Sequence, residues 1–155
     1  MTLACEADLQ AWREQLVERV VGEIQETFSQ TGEGAFPMRS RHFLDGHLAM
    51  YYRCMAPNAV RARYSLTWVP DQLAGHGLVI ADVTMAKQFR GKGFLGALLA
   101  RLKTLEPPLS HIEMENVYNA QLMASVQAQG WQQRPIGPLG APLRDPLGAC
   151  WFMRL

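Results

Sequence analysis

Between Asp8 and Phe28 the apolar residues Leu9, Trp12, Leu16, Val20, Ile24 and Phe28 recur at helical spacing. Val17 and Val21 widen the stripe, and the glutamates fall mostly elsewhere. This pattern predicts a long amphipathic helix that stops near Thr31-Gly32-Glu33-Gly34, where two glycines interrupt it. His47–Met55 and Arg61–Val69 read as strands joined by Ala56-Pro57-Asn58-Ala59, an antiparallel pair. In the second of these, Arg61, Arg63, Ser65 and Thr67 alternate with Ala62, Tyr64, Leu66 and Trp68, which puts Arg61 and Arg63 on one face and the apolar residues on the core face.

Beyond the Gly75-His76-Gly77 turn, the β-branched run from Leu78 to about Ala86 predicts a third strand. Phe94, Leu95, Leu98, Leu99, Leu102 and Leu105 trace one helix face, ended by Pro107-Pro108. His111–Val117 alternates Ile112 and Met114 against Glu113 and Glu115, as a strand does. Ala120, Leu122, Met123 and Val126 fit a helix started by Asn116 or Asn119 and closed by Gly130. A loop rich in proline and glycine from Pro135 to Gly148 and a last strand, Ala149–Arg154, complete a mixed α/β order with a β-α-β unit at its centre.

The chain's 155 residues suit one domain with a single core, spanning 1–155. No run reaches the roughly 18 apolar residues of a membrane span, and the first residues carry acids where a secretory signal has a basic head. The expectation is a cytoplasmic protein that engages no membrane. Cys5, Cys54 and Cys150 are odd in number and widely spaced, so they read as reduced thiols, and the four histidines form no ligand pattern. No metal is expected. Charge is uneven: seven acids against Arg13 and Arg19 in residues 1–34, then Arg39, Arg41, Arg53, Arg61 and Arg63 against Asp45 alone in residues 35–70. Such a basic segment either faces the acidic helix or attracts an anionic partner, nucleic acid included.

Candidate chemistry concentrates in Arg90–Leu99, RGKGFLGALL, whose Gly91, Gly93 and Gly96 spell G-x-G-x-x-G between a strand and a helix. A dinucleotide-binding turn also needs an acid about 20 residues on, for which Glu113 or Glu115 would serve. Against that reading, Lys87-Gln88-Phe89-Arg90 separates strand from glycine, and the preceding chain does not alternate β with α. A P-loop fails because Gly91-Lys92 is followed by Gly93 rather than Ser or Thr. Flexible glycines, a helix N-terminus, Arg90 and Lys92 nevertheless make a good cradle for a pyrophosphate.

The stretch MAKQFRGKGFLGALL resembles the acyl-CoA motif of the GNAT superfamily of acetyl-CoA-dependent N-acetyltransferases: a strand, then R/Q-x-x-G-x-G/A, then an apolar helix. Arg90 and Gly93 take the first two fixed positions; Leu95 departs at the last, unless Gln88 to Gly93 carries the motif two residues earlier. ENVYNAQLMASVQAQGW is similar to the family's next strand and helix, with Asn119, Gly130 and Trp131 matching, so the likeness covers roughly residues 78–131.

The resemblance implies a mostly antiparallel sheet with a splayed central strand and helices on both faces. It implies acetyl-CoA as co-substrate, held by the backbone near Met85 and Lys87, by Arg90, Gly91, Lys92, Gly93 and Phe94, and by Asn119 along the arm. An amine of a small molecule or protein would attack the thioester, with Asp82, Glu113 or Glu115 as base, its pKa raised by burial. Four residues before Gly130, Val126 stands where many members carry a proton-donating tyrosine, and Tyr118 and Ser125 do not replace it. Cys150 reads as an inert strand cysteine. The loop Pro135–Gly148 is expected to border the acceptor site. Two alternatives stay open: a module that binds acyl-CoA without turnover, and an acyltransferase acting on nucleic acid or aminoacyl-tRNA through Arg53, Arg61 and Arg63. Oligomeric state is open too, a homodimer included.

Overall fold

The computed structural model describes residues 5–34, 36–64, 75–134 and 148–155. Helix α1 (Glu6–Ser29) leads into strands β1 (Met38–Leu44) and β2 (Leu48–Met55), helix α2 (Pro57–Tyr64) and strand β3 (His76–Met85). A short 3₁₀ turn (Lys87–Phe89) precedes helix α3 (Phe94–Leu102), strand β4 (Leu109–Met114), helix α4 (Ala120–Ala128) and strands β5 (Gln132–Gln133) and β6 (Trp151–Arg154). The six strands form one mixed sheet in the order β1-β2-β3-β4-β6-β5, and only β3 and β4 run parallel.

The stripe of α1 is buried as its spacing requires, from Trp12 through Leu16, Val17, Val20, Val21 and Ile24 to Phe28. It joins Phe43, Leu48, Met50, Tyr52 and Cys54 of the first hairpin, Leu78 and Ile80 of β3, and Leu98, Leu99 and Leu102 of α3 in the main core. Each such side chain contributes about 1.5–3 kcal/mol through removal from water. The other face of the sheet carries α2, whose Val60 packs with Met55, Val79 and Phe152. Helices therefore cover both faces.

The strand expected over Arg61–Val69 is not formed: Arg61 to Tyr64 belong to α2, and residues 65–69 lie outside the described residues. Pro57, read as a turn residue, opens the helix, where its missing N–H costs nothing and its fixed φ suits the first turn. Alanine and arginine then favour helix over the apparent alternation. Arg61 and Arg63 consequently do not share a face; Arg61 reaches Glu33, and Arg63 reaches Glu113 and Glu115.

The true partner of β2 is β1, in register from Met38↔Met55 to Leu44↔Ala49. Their hairpin turns at Asp45-Gly46, where Asp45 N–H donates to the Leu48 carbonyl and its carboxylate accepts from the His47 amide, both at 2.8 Å. Arg19 of α1 pairs with the same carboxylate. Burial works to raise the Asp45 pKa, but these bonds and the arginine's charge outweigh it and hold the carboxyl below its usual range.

Two irregularities of β3 shape the centre of the sheet. Tyr51 pairs with Asp82 and Tyr52 with Ile80, so Ala81 is a bulged residue with no counterpart on β2. The ladder to β4 ends at Ile80↔Met114, with the Glu115 amide still donating to the Ile80 carbonyl at 2.9 Å. From Asp82 to Met85, β3 is paired with β2 alone among the described residues.

Candidate functional site

The edge of β3 left unpaired among the described residues runs into the glycine turn. The Ala86 amide donates to the His47 carbonyl at 2.9 Å, ending the strand against the β1–β2 hairpin. In the 3₁₀ turn that follows, Phe89 is fully buried between two rings. Trp12 of α1 stacks on it at 4.2 Å between centroids, and His47 lies 4.5 Å away on a tilted plane. Helix, hairpin and turn are thereby fixed to one another.

Gly91 has φ +69 and Gly93 φ +78, a left-handed backbone that side chains rarely adopt. A Cβ at Gly91 would meet nothing, so its requirement is conformational; one at Gly93 would lie 3.1 Å from Nη1 of Arg13. Gly93 is the N-cap of α3 and supplies no side-chain cap. The first-turn amides of α3 therefore lack the acceptors that a capped helix would give them. Around the turn stand Lys87, Arg90 and Lys92, all exposed. Arg90 Nε donates back to the Met85 carbonyl at 2.8 Å, and Arg13 Nη1 donates to the Lys92 carbonyl at 3.2 Å. The turn is a cationic, donor-rich helix start of the kind that receives phosphate oxygens.

Met85, Lys87, Arg90, Gly91, Lys92, Gly93 and Phe94 thus fall together between the end of β3 and the start of α3. Asn119 stands at the start of α4, where its Oδ1 accepts from the Leu122 amide at 2.9 Å and caps the helix. Gly130, at φ +79, closes that helix. Val126 has no exposed surface and belongs to the main core, while Tyr118 is 71% exposed, packed over Gly148. Residues 135–147 of the loop expected at the acceptor site lie outside the described residues.

The three candidate acids divide. Asp82 is exposed on β3 just beyond the bulge, in register with Tyr51. Glu113 is fully buried on β4, its Oε1 3.3 Å from Arg63 Nη2 and 3.1 Å from Arg134 Nη1. Glu115 binds Arg53 Nη1 at 2.8 Å and makes a short contact with Arg63. The raised pKa expected from burial does not hold for Glu115: desolvation pushes it up, but hydrogen bonds and charge from Arg53 and Arg63 prevail and lower it. Tyr51, stacked on His42 at 4.6 Å, has its hydroxyl made more acidic by hydrogen bonds with Ser40 and Arg53.

His111 is wholly buried, and desolvation, helped by the charge of Arg63, lowers its pKa to about 4. All three cysteines are free; burial pushes the Cys54 thiol far up and also raises Cys150, so neither is an activated nucleophile. Among the described residues no group of histidine, cysteine or acid is arranged to hold a metal, and no helix is long and apolar enough to cross a membrane.

Sequence reasoning missed Arg13 and the Trp12–Phe89–His47 stack. Nothing local marks them, because the Arg13 and Lys92 partners are 79 positions apart. Comparison of the chain with protein-family models and with curated proteins gives no match.

Proposed function

We propose that this chain is a GNAT-type N-acyltransferase that moves an acetyl or other acyl group from its coenzyme A thioester to an amine. The observation that carries the reading is the sequence of events along β3. A bulge at Ala81 and the end of the β4 ladder at Ile80 leave one edge of the strand unpaired among the described residues. A glycine turn at the N-terminus of α3 follows within a few residues. The free edge offers backbone groups to an extended pantetheine arm, and the turn offers amides and cations to a diphosphate.

When bound, the thioester supplies an electrophilic carbonyl and a thiol leaving group. The protein's own part is to align the arm along Ala81–Met85, to direct a β3 amide at the carbonyl oxygen as negative charge develops there, and to take the amine proton. Asp82 is the acid suited to that last step, being exposed beside the freed edge. Glu113 and Glu115 are engaged by arginines and act as anchors for them.

A second reading, an acyl-CoA-binding module without turnover, draws support from Val126: its burial leaves no proton donor at that helix position. The nucleic-acid reading draws none from Arg53, Arg61 and Arg63, each of which is paired with a glutamate. Incubation with acetyl-CoA and panels of amines, peptides and tRNA, read by mass shift, tests these readings together. An acetylated amine supports the enzyme; binding of coenzyme A with no acetylated product across the panels supports the module; acetylated tRNA restores the third.

A further inference from the structure

On α1, Arg13 has Leu9 and Gln10 behind it and Leu16 and Val17 ahead, at the spacings where helical side chains meet. None of them is an acid, although the helix carries Glu6, Asp8, Glu14, Glu18, Glu23 and Glu26. Arg13 therefore finds no carboxylate on its own helix and extends to the glycine turn. There it donates a hydrogen bond to the Lys92 carbonyl, and its Nη1 lies 3.1 Å from where a Cβ at Gly93 would stand.

Arg19, Arg53, Arg61, Arg63, Arg101 and Arg134 pair with carboxylates, whereas Arg39 and Arg41 are held by the neutral oxygens of Gln30. Arg13 and Arg90 belong to the second group, held by neutral carbonyls, and are the two arginines that touch this turn. A guanidinium has five N–H donors, and a carbonyl takes one while leaving the full charge. Lys87 and Lys92 likewise form no ion pair among the described residues. Four cations from two distant parts of the chain thus stand around one turn with no counterion among the described residues.

Resting on the acyl-CoA reading, we propose that Arg13 is a positioning residue of the anion cradle: it holds the turn through the Lys92 carbonyl and presents a guanidinium to the diphosphate of the bound thioester. The neighbouring Trp12, stacked on Phe89, fixes the height of α1 against the turn, so that the side chain arrives from a rigid support. A bidentate guanidinium suits a phosphate better than an ammonium does, which makes the role sensitive to arginine itself.

The test is calorimetric titration of the wild type, Arg13→Gln and Arg13→Lys with coenzyme A and with S-acetylpantetheine, which has the arm but no diphosphate. Thermal unfolding without ligand confirms that each variant is folded. Arg13→Gln should weaken coenzyme A by about 10- to 100-fold, the usual range for a lost charge-assisted contact, and Arg13→Lys should recover part of it. S-acetylpantetheine should bind all three alike. Equal coenzyme A affinity in wild type and Arg13→Gln overturns the proposal and leaves the acyltransferase reading intact. An equal loss on both ligands also overturns it, reducing Arg13 to a brace for the turn. A wild type that binds neither ligand overturns the parent reading and this one with it.

Discussion

Glu113 Oε1 lies 3.1 Å from Nη1 of Arg134, in a carboxylate with no exposed surface. The same oxygen faces Arg63 at 3.3 Å, so one buried anion joins α2 to the segment after β5. Glu113→Gln leaves two arginines facing a neutral amide, and removal of one member of a buried ion pair typically costs about 3–5 kcal/mol. Chemical denaturation should show a loss of that order. An unchanged midpoint would mean the arginines find other partners at no cost.

Gly77 offers a steric test of the same face. A Cβ there would lie 2.4 Å from His111 Cε1 and 2.9 Å from Val60 Cγ2, and the imidazole is enclosed. Gly77→Ala should destabilise by about 1–3 kcal/mol, the usual range for overpacking, measurable as a lowered melting temperature.

Acid sensitivity follows from His111. The unfolded chain binds its proton with the ordinary pKa of 6.5, the folded chain only near 4. Between those values the unfolded state carries more protons, so stability is full above the upper value and falls as pH drops through the window. The loss is on the order of 3 kcal/mol. Glu115, whose folded pKa is lowered, adds to the loss at still lower pH. Denaturation midpoints from pH 7 to 4 should fall, and His111→Gln should flatten the slope.

Substitution at Gly91 separates conformation from contact. Its Cβ would enter open space, so Gly91→Ala should cost only the left-handed backbone term, about 1–2 kcal/mol. If the turn cradles a diphosphate, coenzyme A affinity should fall as well, by titration; unchanged affinity would place the anion elsewhere.

Val126→Tyr would restore the residue type the family resemblance leads one to expect, but Val126 has no exposed surface in the main core. The expected outcome is a destabilisation of about 1–3 kcal/mol with no gain of transfer, read by thermal unfolding and single-turnover assay.

What the sequence made legible was whatever rests on local periodicity. The α1 stripe, the strand over β2 and the Gly130 stop all appear as read, and of the two asparagines offered as the α4 cap it is Asn119 that serves, because each is decided within a turn or two of chain. β1 escaped because it is an edge strand with Phe43 its only buried residue, so no apolar alternation marks it; Asp45-Gly46 was the available signal. α2 was misread because Arg-x-Arg alternation imitates a strand over four residues. The glycine turn was visible, but its Arg13 partner and the arginines around Glu113 and Glu115 depend on tertiary neighbours that no spacing reveals.

The extra residue at Ala81 changes the parity of β3. Before it, Leu78 and Ile80 face the main core; after it, Val83 and Met85 pack there, while Asp82 and Thr84 are exposed. Counted in twos from Ile80, an unbroken strand would have aimed Asp82 and Thr84 inward and Val83 and Met85 out. The bulge is what keeps both halves of β3 in phase with the core. If Ala81 entered the β2 ladder as a regular residue, every position from Asp82 to Met85 would change face and a carboxylate would turn into an apolar interior, whereas deleting Ala81 would straighten the strand and leave Asp82 outward and Val83 and Met85 inward.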